Sequence, residues 1–209
     1  MGRITGPSTS KPPPRVTLTS TRREAWLQDM SNPAVPLRRL NRTIPFGITG
    51  KVLLEQCLDK NIPIQRAVWL SKAVGANELR AYKRKGPTGP TGVSGESKWI
   101  REWTGHVQQF LEGTGNMCGQ PGWKDKMQYA ISFSYQLFAE QLLDHEAFLE
   151  WLLAMVERSS IDQLPLWLVL TQTYWKHLMS TRKRGRRLAR CLFVKLESVS
   201  PPSSPKLLP

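Results

Sequence analysis

The chain has 209 residues, 40% of them hydrophobic, with 30 Lys and Arg against 16 Asp and Glu and a formal net charge of +14. That length suits one helical core with flanking tails, and the charge disfavours cationic partners and favours acidic ones, whether nucleic acid, an acidic protein face or an anionic membrane. Three cysteines at long spacing, with no CxxC or Cys/His cluster, point away from a disulfide framework or a zinc site, and the Ser-, Thr-, Pro- and Arg-rich start has no apolar secretory core.

The charge is uneven. Residues 1–95 carry 16 basic and 5 acidic side chains, 96–157 carry 4 and 9, and 158–209 carry 10 and 2. Residues 1–20, with three consecutive prolines, are expected to be a disordered arm. Residues 21–46 read as a short helix, Arg22 to Met30, and a connector punctuated by Pro33, Pro36 and Pro45. From 47 to 197 a helical domain is expected, in which apolar residues recur every three or four positions and Pro, Gly or capping residues mark the breaks. Val52, Leu53, Cys57 and Leu58 line the first of its helices. Pro63 opens the second, where Ile64, Ala67, Val68, Leu70 and Val74 continue the pattern towards Arg84.

The two GPT units between Gly86 and Gly95 are too few for a collagen repeat and predict a loop. Beyond it Ser94 or Ser97 can cap a helix with Trp99, Trp103, Val107, Phe110 and Leu111 on one stripe, stopped by Gly113 and Gly115. The next helix carries Trp123, Met127, Ala130, Ile131, Leu137 and Phe138, and Asp144 caps the one after it. There, Phe148, Leu149, Trp151, Leu152, Leu153, Met155 and Val156 cover more than one stripe, as in a helix packed on several sides. Asp162 and Pro165 open an apolar run to Met179. That run is shorter than the roughly 20 apolar residues of a membrane span and is interrupted by polar residues, so a core helix is predicted and no membrane segment. Leu188, Leu192, Phe193 and Leu196 mark a last helix, and 198–209 a disordered tail. The fold class that results is all-α: six or seven helices in an irregular multi-helix domain, with an extended N-terminal arm.

No chemistry-bearing constellation emerges. His106, His145 and His177 stand apart from any nucleophile or metal-ligand pattern, and no GxxxxGK(S/T) phosphate cradle is present, so neither catalysis nor a cofactor is expected. Most of the eight tryptophans fall at helical core positions. Trp26, in the short helix before the core, is the exception and can dock on this domain or on a partner. Two basic clusters remain. Lys83, Arg84 and Lys85 suit a helix C-terminus, while Arg182, Lys183, Arg184, Arg186 and Arg187 suit either a solvated face or a patch for nuclear localisation or an acidic partner.

The segments KPPPRVTLTSTRREAWL (11–27), the stretch from Asn32 to Gly86 that includes IPIQRAVWL and VGANELRAYKRKG, KWIREWTGHVQQFLEG (98–113), FAEQLLDHEAFLEWLL (138–153) and LPLWLVLTQTYWKHL followed by RKRGRRLARCL (164–192) occur in this order. In that order they resemble the Mediator subunit 12 family, especially its fungal members. The resemblance implies a non-catalytic nuclear subunit of the Mediator kinase module, alongside a cyclin-dependent kinase, a C-type cyclin and subunit 13, tuning transcription by RNA polymerase II. It further implies that the segment leading into the helical domain, Arg22 to Leu40, approaches cyclin and kinase, with Trp26, Leu27, Leu37 and Leu40 as apolar anchors. Members of the family are much longer, so the chain is expected to be a fragment or a truncated gene model. A basic helical protein that contacts nucleic acid directly, and a fragment without independent activity, are the alternative readings.

Overall fold

A computed structural model describes residues 12–84 and 95–199. Among these, strand β1 is Arg15–Val16, helix α1 Ser20–Ser31, α2 Leu37–Leu40, strand β2 Ile44–Pro45, α3 Gly50–Asp59, α4 Ile64–Arg84 and α5 Gly95–Gly115. They are followed by α6 Trp123–Ala139, α7 His145–Arg158, α8 Leu164–Thr173, α9 Trp175–Leu178 and α10 Arg182–Val199. The described part is therefore all-α, with ten helices where six or seven were expected. The excess has a physical origin. The four-residue helices α2 and α9 are too short to leave an apolar period, and the run expected as one helix breaks at Tyr174, whose φ of −101° and ψ of 14° end α8 and start α9. The expected loop around the GPT units, the side chains of Lys83, Arg84 and Lys85, and most of the expected arm and tail lie outside the described residues.

The described residues group as two compact units, one ending at Phe148 and one beginning at Leu149. In the first, α3, α4, α5 and α6 pack on one another around Leu53, Leu54, Cys57, Leu70, Val107, Leu111, Phe133 and Leu137, each fully enclosed. The predicted stripe of α5, Trp99 through Leu111, is buried as read. Phe133 of α6 is also buried, although the sequence reading passed over it, while Trp123 and Ile131 are only half-buried.

Two helices end by the same device. The N–H of Ile62 reaches the carbonyl of Cys57 at 2.9 Å while Asn61, at φ +47°, donates to Leu58. Leu142 reaches Leu137 at 3.0 Å while Gln141, at φ +57°, donates to Phe138. Each is a Schellman stop built on a non-glycine left-handed residue, closed by a following apolar side chain that is fully buried. Asp144 caps α7 as expected, its Oδ1 accepting from the Ala147 N–H at 3.1 Å. Buried hydroxyls are satisfied within their own helices: Ser71, Thr104, Thr114 and Thr171 each donate to the carbonyl four residues earlier.

Where a free arm was expected, Arg15 and Val16 pair in parallel with Ile44 and Pro45. The N–H groups of Ile44 and Phe46 supply the bonds, to Pro14 and Val16, at 2.9 Å each. Pro45 takes the position between them, where no N–H is used. Asn77 of α4 donates to the Pro13 carbonyl at 2.8 Å, and Arg15 forms an ion pair with Glu78 at 3.6 Å.

In the second unit α8 packs on α9, Trp151 meets Trp167 edge to face at 5.8 Å between ring centres, and Leu170, Tyr174 and Leu178 are fully buried.

Candidate functional site

The N-terminal segment combines a buried side with a cationic one. Thr19 Oγ1 accepts from the Arg22 N–H at 3.4 Å and starts α1, which packs on α2. Of the four proposed apolar anchors, Leu27 and Leu40 are 2% and 3% exposed and belong to this protein's own core. Trp26 and Leu37 are half-buried, and the Trp26 indole nitrogen is enclosed with no acceptor among the described residues. What the segment presents to solvent is a set of arginines: Arg22, Arg23, Arg38, Arg39 and Arg42 are all exposed.

Arg66 of α4 holds this segment in place. Its Nη1 donates to the carbonyls of Met30 and Asn32 at 3.3 and 2.9 Å, and its Nη2 to those of Pro33 and Val35 at 3.0 and 2.7 Å. Helix α1 has no basic residue in its last turn, so Arg66 supplies from another helix the cation that the C-terminal end of the helix dipole favours. Glu24 and Lys60 add an ion pair between α1 and the end of α3.

The second candidate is the basic cluster of α10. Arg182 to Arg187 form the first turns of that helix. The five cations do not act together. Arg182, Lys183 and Arg186 are exposed, whereas Arg184 is 5% exposed and donates through Nη2 to Ser180 Oγ at 3.2 Å. Arg187 forks onto Glu157, with Nε and Nη2 each 2.7 Å from a carboxylate oxygen, and its Nη1 reaches Glu150 at 2.6 Å. Glu150 and Glu157 stand two turns apart on α7, so one guanidinium meets both. The Arg187 bond holds the Glu157 carboxyl below its ordinary value, and the two carboxylates raise Arg187. Arg190, seven residues after Lys183 and four after Arg186, falls on the same side of α10 as both, and Lys195 lines the same groove from its edge. The signal for Arg190 is that helical spacing, hidden because the basic run stops at Arg187.

A smaller cavity of about 310 Å3 lies where the start of α3 meets α4 and α5, lined by Gly50, Glu78, Glu102 and His106 and by Trp99 and Trp103. The two indoles stack at 5.4 Å, and Trp99 Nε1 donates to Glu78 at 2.7 Å, so the rings act as core packing. Among the described residues no three His, Cys, Asp or Glu side chains are grouped to hold a metal ion, and no helix is long and apolar enough to cross a membrane. Of the tryptophans, Trp175 rather than Trp26 is the exposed one, at 49%.

Residues 10–72 match the family profile described as "Transcription mediator complex subunit Med12". Over 199 residues the chain is 57% identical to the Mediator of RNA polymerase II transcription subunit 12 of Aspergillus oryzae, which covers 95% of this chain and 12% of that protein. It is 55% identical to the protein of the same name from Aspergillus fumigatus, over 99% of this chain and 13% of that one. For the Neurospora crassa protein of that name the identity is 50%, over 91% and 11%. The chain thus spans about an eighth of the length of the relatives it matches.

Proposed function

The chain belongs to the Mediator subunit 12 family, and from that premise we propose that it is a non-catalytic regulatory scaffold in the nucleus, acting on transcription by RNA polymerase II within the Mediator kinase module. Its partners in this reading are a cyclin-dependent kinase, a C-type cyclin and subunit 13, and its contact with cyclin and kinase runs through α1 and α2. The observation that supports this contact is the exposed arginine set Arg22, Arg23, Arg38, Arg39 and Arg42, displayed on a segment whose shape Arg66 fixes. A fixed backbone with several guanidiniums suits an acidic protein face, since the ordering cost is met before binding. Of the four apolar positions, Trp26 and Leu37 retain partial exposure and sit beside these arginines as the hydrophobic part of the contact.

Co-purification with the matching kinase and cyclin at moderate salt tests the reading. Retention together with stimulated kinase activity is expected, and Arg22→Glu with Arg38→Glu and Arg39→Glu should abolish it while leaving the helical circular dichroism signal intact. Retention without stimulation would reduce the role to scaffolding. Loss of retention in the unaltered chain would place the contact in parts of the longer relatives that this sequence does not include.

A further inference from the structure

Between the turn that follows α7 and the exposed side of α10 runs an open groove of about 960 Å3. Its α10 wall is made by positions recurring every three or four residues from Lys183 to Ser198, a length of about 22 Å at the helical rise. Lys183, Arg186, Arg187, Arg190 and Lys195 contribute five cations and Glu157 a single carboxylate, which is already engaged by Arg187. Four cations are left over. Lys195 donates to the Ser159 carbonyl, and Lys183, Arg186 and Arg190 form no ion pair among the described residues. Helix α10 also has no acidic residue in its first turn, so the positive end of its dipole and the Lys183 and Arg186 charges reinforce each other. Such an arrangement costs stability unless an anion is present.

The other half of the groove has a different character. Ile161 and Val194 line it at 42% and 58% exposure. Unpaired cations at Lys183, Arg186 and Arg190, followed by aliphatic surface at Val194 and Ile161 where the Lys195 ammonium is turned onto the Ser159 carbonyl, describe a ligand that is acidic in one part and apolar in the next.

We propose that the groove between the α7–α8 turn and α10 docks an acidic amphipathic peptide of a partner protein, with carboxylates on Lys183, Arg186 and Arg190 and a bulky apolar side chain on Val194 and Ile161. The length of the wall fits about four helical turns of such a peptide. A nucleic-acid backbone would satisfy the cations but would lay phosphate over Val194 and Ile161, which offer it nothing. A second copy of the chain would bring the same cations to the same groove and be repelled. The proposal stands apart from the kinase contact, because it involves neither α1 nor α2.

The test uses the 209-residue chain and a fluorescein-labelled peptide of about 15 residues, with Asp and Glu in its first half and Leu and Phe at helical spacing in its second. Fluorescence anisotropy at about 150 mM salt should show binding that weakens roughly tenfold in Arg186→Glu with Arg190→Glu. Val194→Asp should weaken it by a similar factor, and Arg38→Glu with Arg39→Glu should leave it unchanged. Ile161→Ser serves as a second apolar variant, in a turn where helix propensity is not at stake, and circular dichroism confirms that each variant is folded. No binding by the unaltered chain overturns the proposal. So does equal binding of poly-glutamate or duplex DNA that ignores Val194→Asp and Ile161→Ser, which would make the face a general polyanion surface. Self-association in sedimentation that buries Val194 would also overturn it, in favour of a second copy as occupant.

Discussion

Arg66 Nη2 donates a hydrogen bond of 2.7 Å to the carbonyl oxygen of Val35, which lies 31 residues earlier in the chain. The same guanidinium spans the carbonyls from Met30 to Pro33, so a single side chain of α4 sets the path of the connector between α1 and α2. An ammonium cannot reproduce that planar fork. Arg66→Lys should therefore lower stability by about 1–2 kcal/mol and Arg66→Ala by about 2–4 kcal/mol, since carbonyls lose a charged donor. Urea unfolding monitored by circular dichroism measures both. A change under about 0.5 kcal/mol for Arg66→Ala would show that water replaces the guanidinium without penalty.

Two glycines in helices should respond in opposite directions to the same substitution. A Cβ at Gly75 would lie 2.7 Å from Trp99 Cζ2, whereas one at Gly105 would meet nothing within 4 Å. Alanine gains roughly 0.5–1 kcal/mol over glycine inside a helix, and a clash in a packed core costs about 1–3 kcal/mol. Overpacking wins at Gly75, because the Trp99 ring is held both by Trp103 and by Glu78. Thermal melts should place Gly75→Ala below the unaltered chain and Gly105→Ala above it.

The Arg187 fork predicts a pH dependence. Glu157 is held below its ordinary value of 4.5, first by the hydrogen bond from Arg187 and then by the guanidinium charge. A carboxylate with a lowered folded-state value contributes stability that is complete above its ordinary value and is lost as pH falls through the folded one. Glu157→Gln should thus be less stable than the unaltered chain at neutral pH, by about 0.5–1 kcal/mol given the exposure of the pair. The two should converge as pH falls through the folded value and both forms become neutral at this position. Denaturant midpoints measured across that range give the answer, and a difference independent of pH would mean that the loss is one of packing.

The three cysteines should differ in reactivity towards a thiol reagent. Cys118 is exposed, Cys191 is half-buried with its thiol raised by burial, and Cys57 is fully buried with its thiol pushed far up by the same cause. Since the thiolate is the reactive form, Cys118 should label first at neutral pH, Cys191 more slowly, and Cys57 only on unfolding. Labelling with mass mapping after partial reaction shows the order.

The helices of the first unit were legible because period and punctuation agreed: Trp99, Trp103, Val107, Phe110 and Leu111 repeat at helical spacing, and Asp144 stands where a cap is needed. The end of α3 near Lys60 was legible as well, but the left-handed device that makes the stops at Asn61 and Gln141 was not, because such a cap on Asn or Gln looks like any polar residue until the following apolar side chain is seen to close it. The order of segments such as IPIQRAVWL and LLDHEAFLEWLL carried the family in the same way, through residue identity alone.

Sequence by itself determined the helical character, the cationic ends and the family, all of which depend on residue type and spacing along one chain. Only the tertiary structure decided which of those residues are free to act. It turned Leu27 and Leu40 inward, leaving arginines on the surface of α1 and α2, and it spent Arg187 on two carboxylates of α7 while leaving Arg186 and Arg190 beside an apolar groove. The reason is distance: a charge is neutralised or left available by what folding brings within a few ångströms of it, and those partners lie about 30 residues or more away in the sequence.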